Sequence, residues 1–275
     1  MSHSFKLGCL QMNSGSDVVA NLDTLKGMVS TAAAAGAQLV MAPEYALLMD
    51  GSGRVMREGA LPPDGGAVLA ELQSLARTLG IWLLPGSLTF QTDDGRIANR
   101  SLVIDHQGRI IASYDKIHMF DVTLPDGRAI RESSTYRAGD RAVIARTPWG
   151  ILGMSICYDL RFPQFYRALA QAGAEFLAIP SAFQRQTGKA HWHTLLRARA
   201  IENAAYVFAP AMCGDHGGNR QSYGHALIVD PWGEVLADAG ELPGIIYADI
   251  DPAVVARMRG MMPSLQHDRD FCRPG

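Results

Sequence analysis

The stretch Gly150-Ile151-Leu152-Gly153-Met154-Ser155-Ile156-Cys157-Tyr158-Asp159-Leu160-Arg161-Phe162-Pro163 constrains the fold more than any other part of the chain. Ile151 to Ile156 reads as a buried strand that stops at Cys157. Pro163, a residue type favoured at the first position of a helix, then opens a helical pattern that runs to Gly173. Cys157 therefore falls in a strand-to-helix turn, close to where the N–H groups of a starting helix point outward. Such a position lowers a thiol's pKa and suits a nucleophile. On position alone, a buried cysteine acting as a small hydrophobe is the competing reading.

The order of elements around this turn points to an α/β chain. Phe5 to Met12 reads as a first strand, Asp17 caps a helix through about Ala35 that Gly36 closes, and Gln38 to Ala42 is a second buried strand ending at Pro43-Glu44-Tyr45. This βαβ opening predicts a parallel pair. Ala46 to Asp64, with its glycines and Pro62-Pro63, reads as a loop over one end of the sheet. A helix from Gly66 to Thr78 precedes a strand from Ile81 to Phe90 that Pro85-Gly86 interrupts. Asp93-Asp94-Gly95-Arg96 is a hairpin signal, followed by strands Ile97 to Asp105 and Arg109 to Asp115. Ile117 to Arg141 reads as a second long loop, and long loops in compact domains are usually functional.

After Cys157 the order repeats. Helix Pro163 to Ala172, strand Glu175 to Pro180, helix His191 to Asn203 and strands Ala205 to Ala211, Ser222 to Val229, Glu234 to Ala237 and Gly244 to Ile250 precede a helix from Pro252. The two halves share an element order with no linker between them, which predicts one pseudo-symmetric domain over residues 1–262 and a C-terminal arm over 263–275.

Composition narrows the function classes. A net charge of −2 with 19% charged residues gives no basic surface dense enough to neutralise a run of phosphates, so nucleic acid is not an expected partner. No apolar run reaches the ~20 residues that span a bilayer, and the N-terminus lacks the pattern of a signal peptide; no membrane partner and a cytoplasmic location are expected. The four cysteines, Cys9, Cys157, Cys213 and Cys272, are widely spread and form no Cys-x-x-Cys pair, which predicts reduced thiols and no metal. The glycine-rich stretch Gly214 to Gly218 lacks phosphate-loop spacing.

In sheets covered by helices, ligands collect beyond the strand ends. Three reactive residues end buried strands: Glu44, Lys116 and Cys157. A carboxylate at such a position needs a cationic or hydrogen-bonding partner, because leaving it unpaired is costly. Lys116 is the candidate, although a strand-end lysine is commonly plain surface charge. His191, His193, His216 and His225 offer a base or a metal site. However, His191 and His193 point to different faces of a helix and no acidic ligand lies at matching spacing, so packing or solvated roles are expected for them.

At these strand ends the chain resembles the nitrilase family of carbon–nitrogen hydrolases. The resemblance lies in Ala42-Pro43-Glu44, Tyr114-Asp115-Lys116-Ile117-His118, Arg131-Glu132-Ser133, Ile156 to Pro163, Arg197 to Asn203 and Asp230-Pro231-Trp232-Gly233, in that order over nearly the whole chain. Within the family it is most similar to the deaminated glutathione amidases, through His118 to Val122, Pro180 to Phe183 with Thr187-Gly188, His191-Trp192, and Cys213-Gly214 with His216, Arg220 and Ser222 to His225. The sister ω-amidases, acting on α-ketoglutaramate or α-ketosuccinamate, share much of this. A scaffold that keeps the fold only for binding is the alternative of another class.

The resemblance implies a four-layer αββα sandwich, no cofactor, a small-molecule amide substrate, and a homodimer or higher homo-oligomer assembled through helices on the outer faces. It assigns Cys157 as nucleophile, Glu44 as general base and acid, and Lys116 as the cation at the oxyanion, joined as a hypothesis by the Tyr158 N–H. A lysine dedicated to one carboxylate would hold it as a fixed ion pair, whereas a second carboxylate sharing that lysine frees the first to exchange protons. Glu132 matches the family's additional glutamate and is expected beside Lys116. Phe183, Thr187 and His191 are expected along the substrate pocket, and Arg161 or Arg220 as the grip on a substrate carboxylate.

Overall fold

The computed structural model describes residues 3–124, 127–217 and 220–272, leaving Gly218 and the last three residues of the arm outside it. Its frame is a nine-stranded sheet and a six-stranded sheet. The strand Phe5–Met12 shows how they are layered. Phe5, Leu7 and Cys9 enter a core shared with Leu152, Met154, Phe176 and Phe208 of the other sheet, while Leu10 and Met12 point the opposite way. That opposite face is covered by helices Val18–Ala34 and Gly66–Leu79, and helices Pro163–Gln171 and Arg185–Asn203 cover the six-stranded sheet. The period-two alternation of a strand thus serves two apolar layers, giving the four-layer αββα sandwich. Between the sheets Phe5 stacks on Trp149 at 4.4 Å and meets Phe176 edge-on at 5.6 Å. Truncating such a ring to alanine costs about 3–5 kcal/mol.

Phe5–Met12 pairs in parallel with Leu39–Met41, and that strand in parallel with Trp82–Leu84, as the βαβ opening predicts. Ser87–Gln91, Ile97–Ile104 and Ile110–Asp115 form the predicted antiparallel ladder. In the six-stranded sheet Gly150–Met154, Phe176–Ala178 and Tyr206–Ala209 run parallel. The Pro85-Gly86 break has a structural cause. Gly86, at φ 79°, lies so close to the backbone after the second strand that a Cβ there would sit 1.8 Å from the Pro43 carbonyl oxygen. Only glycine permits that approach.

Several expectations are corrected. The loop from Ala46 to Asp64 contains a short helix, Gly53–Glu58, and the loop from Ile117 to Arg141 contains a two-stranded ribbon, Asp121–Thr123 with Ala129–Arg131, and a 3-10 turn at Glu132–Ser134. The helix expected from His191 begins at Arg185, so Thr187 is helical. Two runs expected as single strands each divide between the sheets. Tyr206–Ala209 belongs to the six-stranded sheet and Ala211–Asp215 to the nine-stranded one, with Pro210, which has no N–H to donate, at the break. Gln221–Tyr223 and Leu227–Val229 divide at Gly224 and His225, both with positive φ. The start of the arm folds back on its own chain, where Arg167 donates to the Ser264 carbonyl and to Asp268. No described helix is long and apolar enough to cross a membrane.

Candidate active site

Glu44 follows the strand Leu39–Met41, and Lys116 follows Ile110–Asp115, both in the nine-stranded sheet. Cys157 follows Gly150–Met154 and Ala182 follows Phe176–Ala178, adjacent parallel strands of the six-stranded sheet. The sandwich brings these four strand ends together at one end of the intersheet space. Cys157 donates its backbone N–H to the Pro180 carbonyl at 3.0 Å, which fixes its turn against the neighbouring strand end.

Glu44 and Lys116 are each 2% exposed at the side chain, and the Lys116 Nζ donates to Glu44 Oε1 at 3.0 Å. The same ammonium donates to Glu132 Oε1 and Oε2 at 2.9 and 3.0 Å, so two carboxylates share one lysine. Asn99 Nδ2 donates to Glu44 Oε1 at 2.9 Å, and the Ala182 N–H to Oε2 at 2.8 Å. Glu132 further accepts from the Tyr45 hydroxyl at 2.9 Å and from the Phe120 N–H. Burial opposes charging of Lys116, but Glu132, Glu44 and Cys157 outweigh it and hold its pKa well above the ordinary lysine range.

The Cys157 thiol corrects an expectation. A 3-10 turn, Cys157–Arg161, separates the strand from the helix that Pro163 opens, so the thiol does not sit at that helix's first turn. Burial, and then the adjacent Glu44, push its pKa well above the ordinary value, with Lys116 pulling the other way. The same side chain is hydrogen-bonded to the Glu44 carboxylate. Cys157 has φ 47° and Tyr45, beside Glu44, φ 59°. Both are left-handed conformations that non-glycine residues adopt at a cost and that gather at sites of function. Replacing Glu44 by glutamine removes one of the upward pushes on the thiol. Alkylation of Cys157 by iodoacetamide is therefore expected to reach its half-maximal rate at lower pH in Glu44→Gln than in the wild type. An unchanged profile would show that Glu44 does not act on the thiol.

Asp159, fully buried, ties this turn to the strand end carrying Lys116. Its carboxylate accepts from the Ile156 N–H at 2.8 Å, the Tyr114 hydroxyl at 2.7 Å and the His118 N–H at 3.2 Å, and pairs with His118 Nδ1 at 2.7 Å. The His118 ring lies flat on Phe162 with centroids 3.6 Å apart.

A cavity of about 330 Å³ opens above the thiol. Tyr158, Phe183 and Thr187 line it, whereas Arg161 and His191 do not. Arg161 instead lies over the Phe183 ring at 5.2 Å and reaches His191 Nδ1 at 3.3 Å, behind the aromatic wall. Arg220, half-buried, does line the cavity, its guanidinium carbon 5.5 Å from the centre of the Tyr45 ring. Asn99, Tyr45, Asp159 and the Ala182 N–H have no role assigned from the sequence. Asn99 and Asp159 had a detectable signal, as polar residues set among apolar positions; Tyr45 and a backbone N–H had none. His216 has the expected packing role, bonded to the Ser14 carbonyl at 2.8 Å and the Ser222 hydroxyl at 2.9 Å.

Comparison with known proteins places the chain in a family. The chain is 42% identical over 263 residues to a deaminated glutathione amidase of Synechocystis sp., covering 94% of this chain and 96% of that protein. Its fold superposes on the Caenorhabditis elegans NitFhit protein with a TM-score of 0.90 at 37% identity, covering 98% of this chain and 66% of that one. With Saccharomyces cerevisiae Nit3, described as a member of branch 10 of the nitrilase superfamily, the TM-score is 0.86 at 31% identity, covering 96% of each chain. Residues 6–260 match the carbon-nitrogen hydrolase family, and the chain is therefore a carbon–nitrogen hydrolase of the nitrilase superfamily, an amidase.

Proposed function

We propose that this amidase hydrolyses deaminated glutathione to 2-oxoglutarate and cysteinylglycine, a metabolite-repair reaction. One observation carries the substrate class: Arg220 faces the cavity of the buried Cys157, Glu44, Lys116 and Glu132 cluster, and among the described residues no carboxylate lies within ion-pair distance of its guanidinium. A half-buried guanidinium lining the same cavity as Cys157 suits a substrate that brings its own carboxylate. The name of the Synechocystis relative supports the specific 2-oxo acid amide.

In the proposed reaction Glu44 takes the Cys157 proton as sulfur attacks the amide carbon. The oxyanion forms beside the Lys116 ammonium and the Tyr158 N–H, and Glu44 returns the proton to the departing amine of cysteinylglycine. The 2-oxoglutaryl thioester remains, and water activated by Glu44 releases 2-oxoglutarate and restores the thiol. A positioned acid/base contributes about 10²–10⁴-fold and one oxyanion donor about 2.7–4 kcal/mol. Each falls short of the ~8 kcal/mol at the low end of enzymic acceleration, so the cluster has to act as a unit.

The test is turnover of deaminated glutathione and of α-ketoglutaramate in parallel, following 2-oxoglutarate. A kcat/KM strongly favouring deaminated glutathione is the expected result; preference for α-ketoglutaramate would move the chain to the ω-amidases. In the same assay Arg220→Met is expected to lower kcat/KM about 10–10²-fold, the loss of one hydrogen-bonded charge contact at about 1.5–3 kcal/mol. An unchanged value would remove Arg220 from the carboxylate grip.

A cytoplasmic location is proposed on the four unpaired cysteines, as expected of a reducing compartment. Homo-oligomeric assembly is proposed on exposed apolar residues of outer elements, Ile201, Trp232 and Met261.

A further inference from the structure

His191, His193, His216 and His225 do not share one role. His193 lies within the helix Arg185–Asn203, His225 at the crossing between the sheets, and Asp238 at the end of the strand Val235–Asp238. In sequence they look unrelated, and the reading of the chain found no acidic ligand for the helical histidines. The fold supplies one. Asp238 Oδ2 lies 3.1 Å from His193 Nε2 and 3.1 Å from His225 Nδ1, and the three ligand atoms all fall within 4.8 Å of one another. None of the three residues lines the catalytic cavity.

We propose that His193, His225 and Asp238 form a binding site for a divalent transition-metal ion of the zinc type, distinct from the active site. Two imidazole nitrogens and one carboxylate oxygen are a zinc-type donor set, whereas calcium and magnesium prefer all-oxygen ligands. At zinc–ligand distances of about 2.0–2.1 Å, a tetrahedral site places its ligand atoms roughly 3.3–3.4 Å apart, and two of the three edges here are already 3.1 Å. The imidazole rings are inclined at 70° with centroids 5.1 Å apart, as two rings converging on one ion from separate elements would be.

Two of the three ligands, Asp238 and His225, are also held by contacts independent of the others. Asp238 Oδ1 accepts from the Gly240 N–H at 2.8 Å and lies 2.9 Å from His225 Nδ1, while Oδ2 lies 3.1 Å from each of the two imidazoles. His225 donates its backbone N–H to the Gly240 carbonyl and accepts from Trp192 Nε1 at 2.8 Å. His225 also has φ 55°, a left-handed conformation that glycine adopts without cost, so this position carries an imidazole where a side chain is disfavoured. The ion would clamp the Arg185–Asn203 helix to the crossing segment. That helix carries Thr187, and the strand leading into the crossing carries Gln221, both of which line the catalytic cavity.

The test uses tag-free full-length protein, stripped with a chelator, in a Cys157→Ala background so that the active-site thiol cannot contribute. Zn²⁺ is titrated in competition with a chromophoric chelator, and Co²⁺ is followed by its visible absorption. The expected result is saturable binding of one ion per chain, with Co²⁺ bands of a nitrogen–oxygen site that lack thiolate charge transfer. The Tm is expected to rise with Zn²⁺, because an ion that binds only the folded state stabilises it. His193→Ala is expected to weaken binding by more than about tenfold, the smallest loss associated even with an outer-shell partner of a metal ligand, and to abolish the rise in Tm. Asp238→Asn, which keeps the shape of the side chain, is expected to weaken binding similarly should the alanine variant fold poorly. Absence of saturable binding, or binding that survives both substitutions, would overturn the site and leave the trio as an aspartate hydrogen-bonded to two imidazoles.

Discussion

Cys157→Ala is expected to lower kcat by about 10⁴-fold or more while the protein remains folded. Removing the nucleophile of a hydrolase in which the catalytic groups act together costs on this scale, and the residual rate comes from binding and oxyanion contacts alone. The substitution removes one sulfur from a half-buried turn whose backbone is held elsewhere, by the Cys157 N–H to Pro180 and by Asp159 to Ile156 and Tyr114. Single-turnover kinetics with quenched-sample mass spectrometry check the chemistry. The wild type should show a covalent 2-oxoglutaryl adduct on Cys157, and the variant neither adduct nor turnover. An active Cys157→Ala enzyme would exclude the thioester route outright.

Lys116→Met should combine loss of turnover with a large loss of stability, expected at about 3–5 kcal/mol, the range found when one partner of a buried ion pair is removed. Lys116 is 2% exposed and is shared by Glu44 and Glu132, themselves 2% and 7% exposed at the side chain. Methionine fills a similar volume but leaves two buried carboxylates facing each other without a cation. For a chain somewhat longer than 250 residues each kcal/mol shifts Tm by roughly 2–4 °C, so a fall of about 6–20 °C is expected in a thermal scan. Adding Glu132→Gln should recover part of the lost stability, because one uncompensated charge is gone, without recovering turnover. Recovery of both would mean that Lys116 serves only to neutralise charge and makes no contact with the reaction.

Legibility of the fold followed chain locality. The Asp17 cap, the Gly36 and Gly80 stops and the Asp93 to Arg96 hairpin are set by a few consecutive residues, and each appears where such residues demand it. The long loops were misread because Gly53–Glu58 and the Asp121–Thr123 ribbon have too few residues to show a period. The strand from Ala205 was misread because a run of apolar residues looks alike in either sheet, and Pro210 marks a change of sheet only once both sheets exist.

The candidate site divides in the same way. Glu44, Lys116 and Cys157 were legible as reactive residues ending buried strands, and the resemblance added Glu132. Arg161 and His191 were expected in the pocket and lie behind its aromatic wall, because which side of Phe183 a neighbouring side chain occupies depends on helix orientation rather than on spacing.

From the sequence alone came the α/β class, the strand ends that carry Cys157, Glu44 and Lys116, and the resemblance that names the chemistry, since periodicity and motif are properties of nearby residues. Tertiary structure decided the rest. It set the sharing of Lys116 by two carboxylates, the Ala182 N–H on a glutamate 138 positions earlier, the raised thiol pKa and the meeting of His193 with Asp238. These depend on distances between separate sheets and helices and on how far water is excluded from between them, and packing creates both.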